Sequence, residues 1–412
     1  MKNSNIQWIG DIPDNWEIVK GKHCFRLVQR PTKQDDEVIT CFRDGMVTLR
    51  KNRREEGFTI STKEFGYQGI EVGDLIVHGM DGFAGAIGIS DSRGKASPVL
   101  NVLDTIGNKK YYMYLLRSMA YNGVFEALST GIRVRTCDTN WGKLKDLVYC
   151  VPPLATQTTI ATYLDAKCSE IDGLIADINK QIETLNELKK STITEAVTKG
   201  LNKNAKLKDS GIQWIGMIPE GWSVTKFKYI ATVKSNLVHP KDYLDFPQVA
   251  PDNIEKNSGK LLGYNSVLES GVISDNHLFY KGQIIYSKIR PTLNKVTIAP
   301  FDGLCSADMY PIETNFNVIF VKYLMLSDIF VLQVGVVVQD RVKMPKINQE
   351  ELNEIRVVIP PLTEQQSIAA YLDSKCSEFD SIISDKQNQI STLETYKKSL
   401  IYEYVTGKKE VE

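Results

Sequence analysis

Residues 151–190 read VPPLATQTTIATYLDAKCSEIDGLIADINKQIETLNELKK, and residues 359–398 read IPPLTEQQSIAAYLDSKCSEFDSIISDKQNQISTLETYKK. The second stretch repeats the first at a constant offset of 208 positions, without a gap. Pro152 pairs with Pro360, and Tyr163-Leu164-Asp165 pairs with Tyr371-Leu372-Asp373. Lys167-Cys168-Ser169-Glu170 returns as Lys375-Cys376-Ser377-Glu378, and Lys189-Lys190 as Lys397-Lys398. A repeat this long, at a period near half the chain, is a statement about architecture.

Both copies predict long helices. A Pro-Pro pair cannot sit inside a helix but leads into one. Thr156 and Thr363 are the expected N-caps, because a hydroxyl there accepts an orphan backbone N–H. Apolar residues then fall at Ile171, Ile175, Ile178, Ile182 and Leu185, the four–three spacing of a coiled-coil seam. Phe379, Ile383, Ile390, Leu393 and Leu400 keep the same phase in the second copy, with Lys386 interrupting where Ile178 stood. Some 45 helical residues span roughly 65–70 Å. A helix with one narrow apolar stripe needs a partner, and the nearest is the other copy. The competing reading is a helix packed on the core of its own domain, which the narrow stripe and the duplication disfavour.

A chain of 412 residues predicts two or three domains, each large enough for a core. Fifty Lys and Arg balance fifty Asp and Glu. That argues against a non-specific nucleic-acid coat but leaves room for a sequence reader with local basic patches. The seven cysteines (Cys24, Cys41, Cys137, Cys150, Cys168, Cys305 and Cys376) are odd in number and form no Cys-x-x-Cys, which fits free thiols in a reducing cytosol. No signal peptide and no apolar run of 18 residues is found, so a cytoplasmic location is expected.

A second repeat opens each half. Ile6-Gln7-Trp8-Ile9-Gly10-Asp11-Ile12-Pro13-Asp14-Asn15-Trp16 returns as Ile212-Gln213-Trp214-Ile215-Gly216-Met217-Ile218-Pro219-Glu220-Gly221-Trp222. Trp8 and Trp214 are read as core anchors. Each half therefore runs from a Trp-bearing peptide through a variable body to Pro-Pro and a long helix. Both bodies carry a Gly-led apolar strand, Gly73-Asp74-Leu75-Ile76-Val77 and Gly282-Gln283-Ile284-Ile285-Tyr286. Short β-rich runs (Leu75–His78, Ala86–Ile89, Gln283–Ser287, Lys295–Ala299) alternate with Gly and Pro turns, and helices are expected at 109–121 and 317–333. The predicted fold class is mixed α/β (α+β): two globular domains joined by two long helices that form an antiparallel coiled coil, with a pseudo-two-fold internal repeat. The expected boundaries are 1–150 (with the opening peptide 6–16), 151–200 for the central helix, 201–211 for a polar linker, 212–358 (with 212–222), and 359–406 for the C-terminal helix.

Catalytic signatures fail on inspection. Gly88-Ile89-Ser90-Asp91-Ser92-Arg93-Gly94-Lys95-Ala96 has one residue too many between its glycines for a phosphate loop and ends without the Mg²⁺-binding hydroxyl. Val151-Pro152-Pro153-Leu154 and Ile359-Pro360-Pro361-Leu362 lack the polar and aromatic residues of an amino-methyltransferase motif. His23, His78, His239 and His277 have no metal-ligand spacing. What remains is chemistry for a polynucleotide: cations for phosphates and forked donors for base edges. The candidates in the first body are Arg43, Arg50, Arg53, Arg54, the turn residues His78, Met80 and Asp81, and Arg133 and Arg135. The glycines of His78–Gly85 are expected to let backbone approach a ligand. In the second body they are Lys288, Arg290, Asn294, Lys295, Gln339, Arg341 and Lys343.

Taken together, these motifs resemble the specificity (S) subunit of type I restriction-modification systems over essentially the whole chain. The runs Ile-Gln-Trp-Ile-Gly-x-Ile-Pro-x-x-Trp at 6–16 and 212–222, and Pro-Pro-Leu-x-x-Gln-x-x-Ile-Ala-x-Tyr-Leu-Asp at 152–165 and 360–373, carry the resemblance; the first copy of the second run has Ala161 followed by Thr162 where the other has Ala369 and Ala370. The resemblance implies two target-recognition domains, each reading one half of an asymmetric bipartite DNA site, with the helices setting the half-site spacing. It implies a non-catalytic chain that docks two modification (methyltransferase) subunits and is joined by restriction (motor-nuclease) subunits. S-adenosylmethionine, ATP and Mg²⁺ are then expected on the partner subunits, and no cofactor or metal on this chain. Two other readings fit the same residues: a stand-alone DNA-binding regulator, and a scaffold without a nucleic-acid role, which gains if Arg133, Arg290 and Arg341 are buried in ion pairs.

Overall fold

A computed structural model describes residues 1–53, 65–127, 139–341 and 343–411. Five helices of nine or more residues run through these: Lys109–Tyr121 (α1), Leu154–Lys199 (α2), Val318–Leu326 (α3), Asp328–Val338 (α4) and Leu362–Val405 (α5). The chain forms two compact units, residues 1–178 with 388–412 and residues 179–387. Each long helix thus gives its first part to one unit and its second part to the other. Among the described residues no single helix is long and apolar enough to cross a membrane.

In the first unit a four-stranded antiparallel sheet runs in the order Phe25–Leu27, Leu100–Thr105, Leu75–His78, Ile87–Ile89. In the second unit the corresponding sheet runs Ala231–Val233, Met309–Thr314, Ile284–Ser287, Val296–Ile298. The order is the same although the bodies share little sequence, because burial only asks for apolar residues at matching strand positions. The Gly-led strand is third in both. A five-stranded mixed sheet, in the order Leu237–Val238, Asn276–Phe279, Gly303–Cys305, Pro247–Val249, Asn265–Ser266, is added in the second unit. The first unit has two-stranded ribbons instead, including Ile39–Cys41 with Val47–Leu49.

Each unit closes its core on the ends of the long helices. In the first, Leu164 and Cys168 of α2 and Ile401 and Val405 of α5 join Trp16, Leu75, Tyr111 and Tyr149. In the second, Ile193 and Val197 of α2 and Ile368 and Leu372 of α5 join Trp222, Phe227, Ile284 and Phe320. Fully burying one such side chain is worth about 1.5–3 kcal/mol. Between these ends the helices pair antiparallel within each unit. In the first, the Tyr163 and Tyr404 rings lie 4.6 Å apart and Lys397 Nζ stands 2.6 Å from the Asp172 carboxylate. In the second, Lys189 Nζ donates to Asp380 Oδ1 at 2.7 Å, and Lys386, the residue that interrupts the stripe, donates to Gln181. The helices therefore use both modes of packing, body core at the ends and seam in between.

The structure moves several expected details. Thr156 and Thr363 cap neither helix: α2 begins two residues before Thr156 and α5 one residue before Thr363, and the N–H groups of Gln157 and Gln365 bond Pro153 O and Pro361 O, each at 3.0 Å. The Pro-Pro pair itself starts the helix. The most deeply buried tryptophans of the opening peptides are the second ones, Trp16 and Trp222 (3% and 1% exposed); Trp8 is half-buried and packs against the first core, whereas Trp214 is 50% exposed. Their place is fixed by the helix ends. Gly407 and Gly200, at φ 71° and 74°, follow α5 and α2, and a Cβ on them would strike Pro13 and the Trp222 ring. The helix expected at 317–333 is two helices, because Ser327 leaves helical geometry (ψ 149°) and caps α4 by accepting from Phe330 N. Within 201–211, residues Leu207–Asp209 pair with Met217–Pro219 as Lys2–Asn3 pair with Asp11–Ile12.

Candidate nucleic-acid interface

In the first unit the hairpin 39–49 and the turn after Leu75–His78 face each other across a cleft of about 800 Å³. Arg43, Arg50, Arg53, His78 and Asp81 all line it, so five sequence-predicted residues from separate segments share one site. Met80 lies on the same turn and is 52% exposed. Arg43 Nη2 donates to Asp81 Oδ1 at 2.8 Å, and Arg53 Nη1 stands 2.7 Å from Asp44 Oδ2 with its guanidinium 4.4 Å above the Phe42 ring. Arg50 Nε donates to Thr40 Oγ1 at 3.2 Å. Phe42 and Asp44 were not singled out in the sequence. The signal was there in Phe42-Arg43-Asp44-Gly45, an aromatic and a carboxylate flanking a guanidinium at a hairpin turn.

The turn is held from behind. His78 Nδ1 accepts the N–H of Met80 (3.2 Å) and of Asp81 (3.0 Å). Thr139 Oγ1 donates to His78 O at 2.7 Å, and Asn101 Nδ2 ties Val77 O to Thr139 O. Burial holds the His78 imidazole below its usual pKa, with Asp81 opposing and Arg43 reinforcing that shift. The glycines do not open the backbone to a ligand as expected. A Cβ on Gly79 would sit 2.9 Å from Val99 O, one on Gly82 would strike Thr139, and one on Gly85 (φ 93°) would sit 2.7 Å from Arg43 O. They permit close approach of the protein to itself.

In the second unit the two cationic segments come together. Arg290 N donates to Pro345 O at 2.7 Å and Ile347 N to Lys288 O at 2.9 Å. Arg290 is exposed, in left-handed geometry at φ 43°, and has no side-chain partner among the described residues. Left-handed backbone in an arginine is strained and points to a constrained loop. Lys288 Nζ lies 5.1 Å from the Tyr310 ring centre, Gln339 and Lys343 are exposed, and Arg341, also exposed, pairs with Glu351. Two candidates are turned inward. Asn294 is 1% exposed and its amide donates to Met325 O at 3.0 Å; Lys295 Nζ donates to Pro251 O at 2.7 Å. A polar residue in a basic loop reads the same in sequence whether it faces out or pins the loop. Arg54, Arg133 and Arg135 lie outside the described residues. Among the described residues no three His, Cys, Asp or Glu side chains are grouped to hold a metal.

Three comparisons bear on this arrangement. The family described as type I restriction modification DNA specificity domain matches residues 219–392. The chain is 34% identical over 281 residues to the type I restriction enzyme EcoDI specificity subunit of Escherichia coli, a match covering 65% of this chain and 63% of that protein's length. It is 26% identical over 435 residues to the putative type I restriction enzyme MjaX specificity subunit of Methanocaldococcus jannaschii, covering 97% and 95% of the two. In fold it resembles a solved chain from work on complex assembly and conformational transition of the type I R-M system, with a TM-score of 0.69 and 12% identity over 96% of this chain and 98% of that one. The chain, with its duplicated helices, duplicated opening peptides and repeated sheet order, is thus similar to type I restriction enzyme specificity subunits, and residues 219–392 match the DNA specificity domain of that family.

Proposed function

We propose that this chain is the DNA-reading, non-catalytic subunit of a type I restriction-modification assembly. Residues 1–150 and 212–358 act as its two recognition domains, each reading one half of a split, asymmetric site. The observation that carries this is that each unit repeats the same sheet order and the same helix joints around unlike loops. A shared scaffold with divergent exposed chemistry suits two heads reading different sequences, and pseudo-two-fold symmetry in a protein suits two half-sites. Arg43, Arg50, Arg53, His78, Met80 and Asp81 are the contacts proposed for the first half-site, with Arg133 and Arg135 proposed from sequence alone. Lys288, Arg290, Gln339, Arg341 and Lys343 are those for the second. The paired helices 151–200 and 359–406 dock methyltransferase subunits, two by the symmetry of the repeat. S-adenosylmethionine, ATP and Mg²⁺ belong to those subunits and to the motor-nuclease subunits.

The scaffold alternative draws on Arg341, whose ion pair with Glu351 spends its charge inside the protein. Arg290, exposed and unpaired among the described residues, weighs the other way. Mapping methylated adenines in cells with and without this chain tests the reading. A split motif that disappears with the chain is expected; an unchanged pattern of methylation overturns the proposal.

A further inference from the structure

Resting on that DNA-reading role, we propose that Arg43 and Asp81 together read one G·C pair of the first half-site through the major groove, with His78 as a fixed donor beside them. The Arg43–Asp81 bond is one-armed, Nη2 to Oδ1 at 2.8 Å, and both side chains are open to solvent, 65% and 36% exposed. One arm spends one of five guanidinium donors and one carboxylate oxygen. The remaining fork and the remaining oxygen stand side by side. A guanine edge presents two acceptors, N7 and O6, and its cytosine partner presents a donor, N4. Donor fork beside acceptor is the complement of that edge. An A·T pair would set the adenine N6 donor against the guanidinium and the thymine O4 acceptor against the carboxylate.

The pair is held in place rather than free to roam. Asp81 O accepts from Ala84 N (3.0 Å) and Ala86 N (3.2 Å), and its own N–H is bound by His78 Nδ1. The turn passes so close to the hairpin that carries the arginine that a Cβ on Gly85 would meet Arg43 O. Because His78 Nδ1 accepts two backbone N–H groups, the proton of the neutral ring must sit on Nε2. The ring lines the cleft, so Nε2–H is offered to an acceptor on the neighbouring base or its phosphate. Arg53, by contrast, has its guanidinium spent on Asp44 and the Phe42 ring and is not assigned a base.

The test uses the full chain with the modification subunits of the same host and a library of duplexes randomised in both half-sites, read by sequencing the bound fraction. The unmutated chain is expected to select a G·C pair in the first half-site. Arg43→Lys keeps the charge and removes the fork, so it should lower preference at that one position on the order of 10–100-fold. Asp81→Asn should relax the same position, with the second half-site and the thermal midpoint unaltered. Unchanged base preferences in Arg43→Lys, an equal loss on all sequences (a phosphate contact), or a change that falls on an A·T pair would overturn the assignment. If the unmutated complex selects no split sequence, the DNA-reading role itself falls, an outcome distinct from the others.

Discussion

Gln157 and Gln365, 4% and 2% exposed, each join a long helix to the body beside it. The Gln157 amide donates to Pro152 O and its oxygen accepts from Asn108 N, both at 2.9 Å; Gln365 does the same with Pro360 O (2.9 Å) and Asn317 N (3.1 Å). Gln→Leu at either site leaves a buried carbonyl and a half-buried N–H unpaired, which costs about 1–3 kcal/mol; urea denaturation should show a similar loss for each variant. Both glutamines stood in the repeated motif, but their role depends on loops far away in sequence, so it could not be read there. A second expectation concerns His277, buried at 4% exposure with Nδ1 unpartnered among the described residues. Burial, with Lys288 adding to it, depresses its pKa below the ordinary 6.5. The unfolded chain then takes a proton before the folded one does, so stability falls as pH drops below that value and the penalty levels off beneath the folded pKa. His277→Leu should lose less of its denaturation midpoint between about pH 7.5 and pH 5.5 than the unmutated chain does.

The seam of α2 and α5 shows why periodicity alone under-describes an element. The stripe from Ile171 to Leu185 is legible because burial repeats every three or four residues, but the next seam position holds Lys189, only 7% exposed. Its equivalent is Lys397, and their partners Asp380 and Asp172 are likewise equivalent positions of the repeat. A polar group in a seam costs stability and fixes register. The two pairs differ in exposure. Asp380 is 24% exposed and also meets Lys260 of the body, whereas Asp172 is 58% exposed. A double-mutant cycle with Lys189→Met and Asp380→Leu should therefore give a coupling on the order of 1–3 kcal/mol. The Lys397→Met and Asp172→Leu cycle should give less than about 1 kcal/mol. Equal couplings would mean that exposure is not what distinguishes them.

At the scale of the whole chain the duplication was legible because identical residues recur at a fixed offset, and the two unlike bodies were not, because strands need only the right alternation to pair. For the same reason the candidates Asn294 and Lys295 turn inward to Met325 O and Pro251 O without a mark in the sequence, and the matching sheet order of the bodies leaves no shared residues to read. Two expectations follow from the proposed role. Replacing residues 17–150 with another body should change one half-site and leave the other. Removing about one heptad from 171–190 with its counterpart in α5, which keeps the seam phase, should alter the unread spacer and preserve both half-sites. Binding across a series of spacer lengths checks the second. The joints at the helix ends also carry an optical consequence. Trp222 donates its indole N–H to Glu364 at 3.0 Å beside Gly200, and Trp16 lies at the corresponding joint beside Gly407. A chain keeping only one of its five tryptophans, Trp16 or Trp222, would emit from a single joint, so a red shift of its fluorescence would time when that helix end lets go.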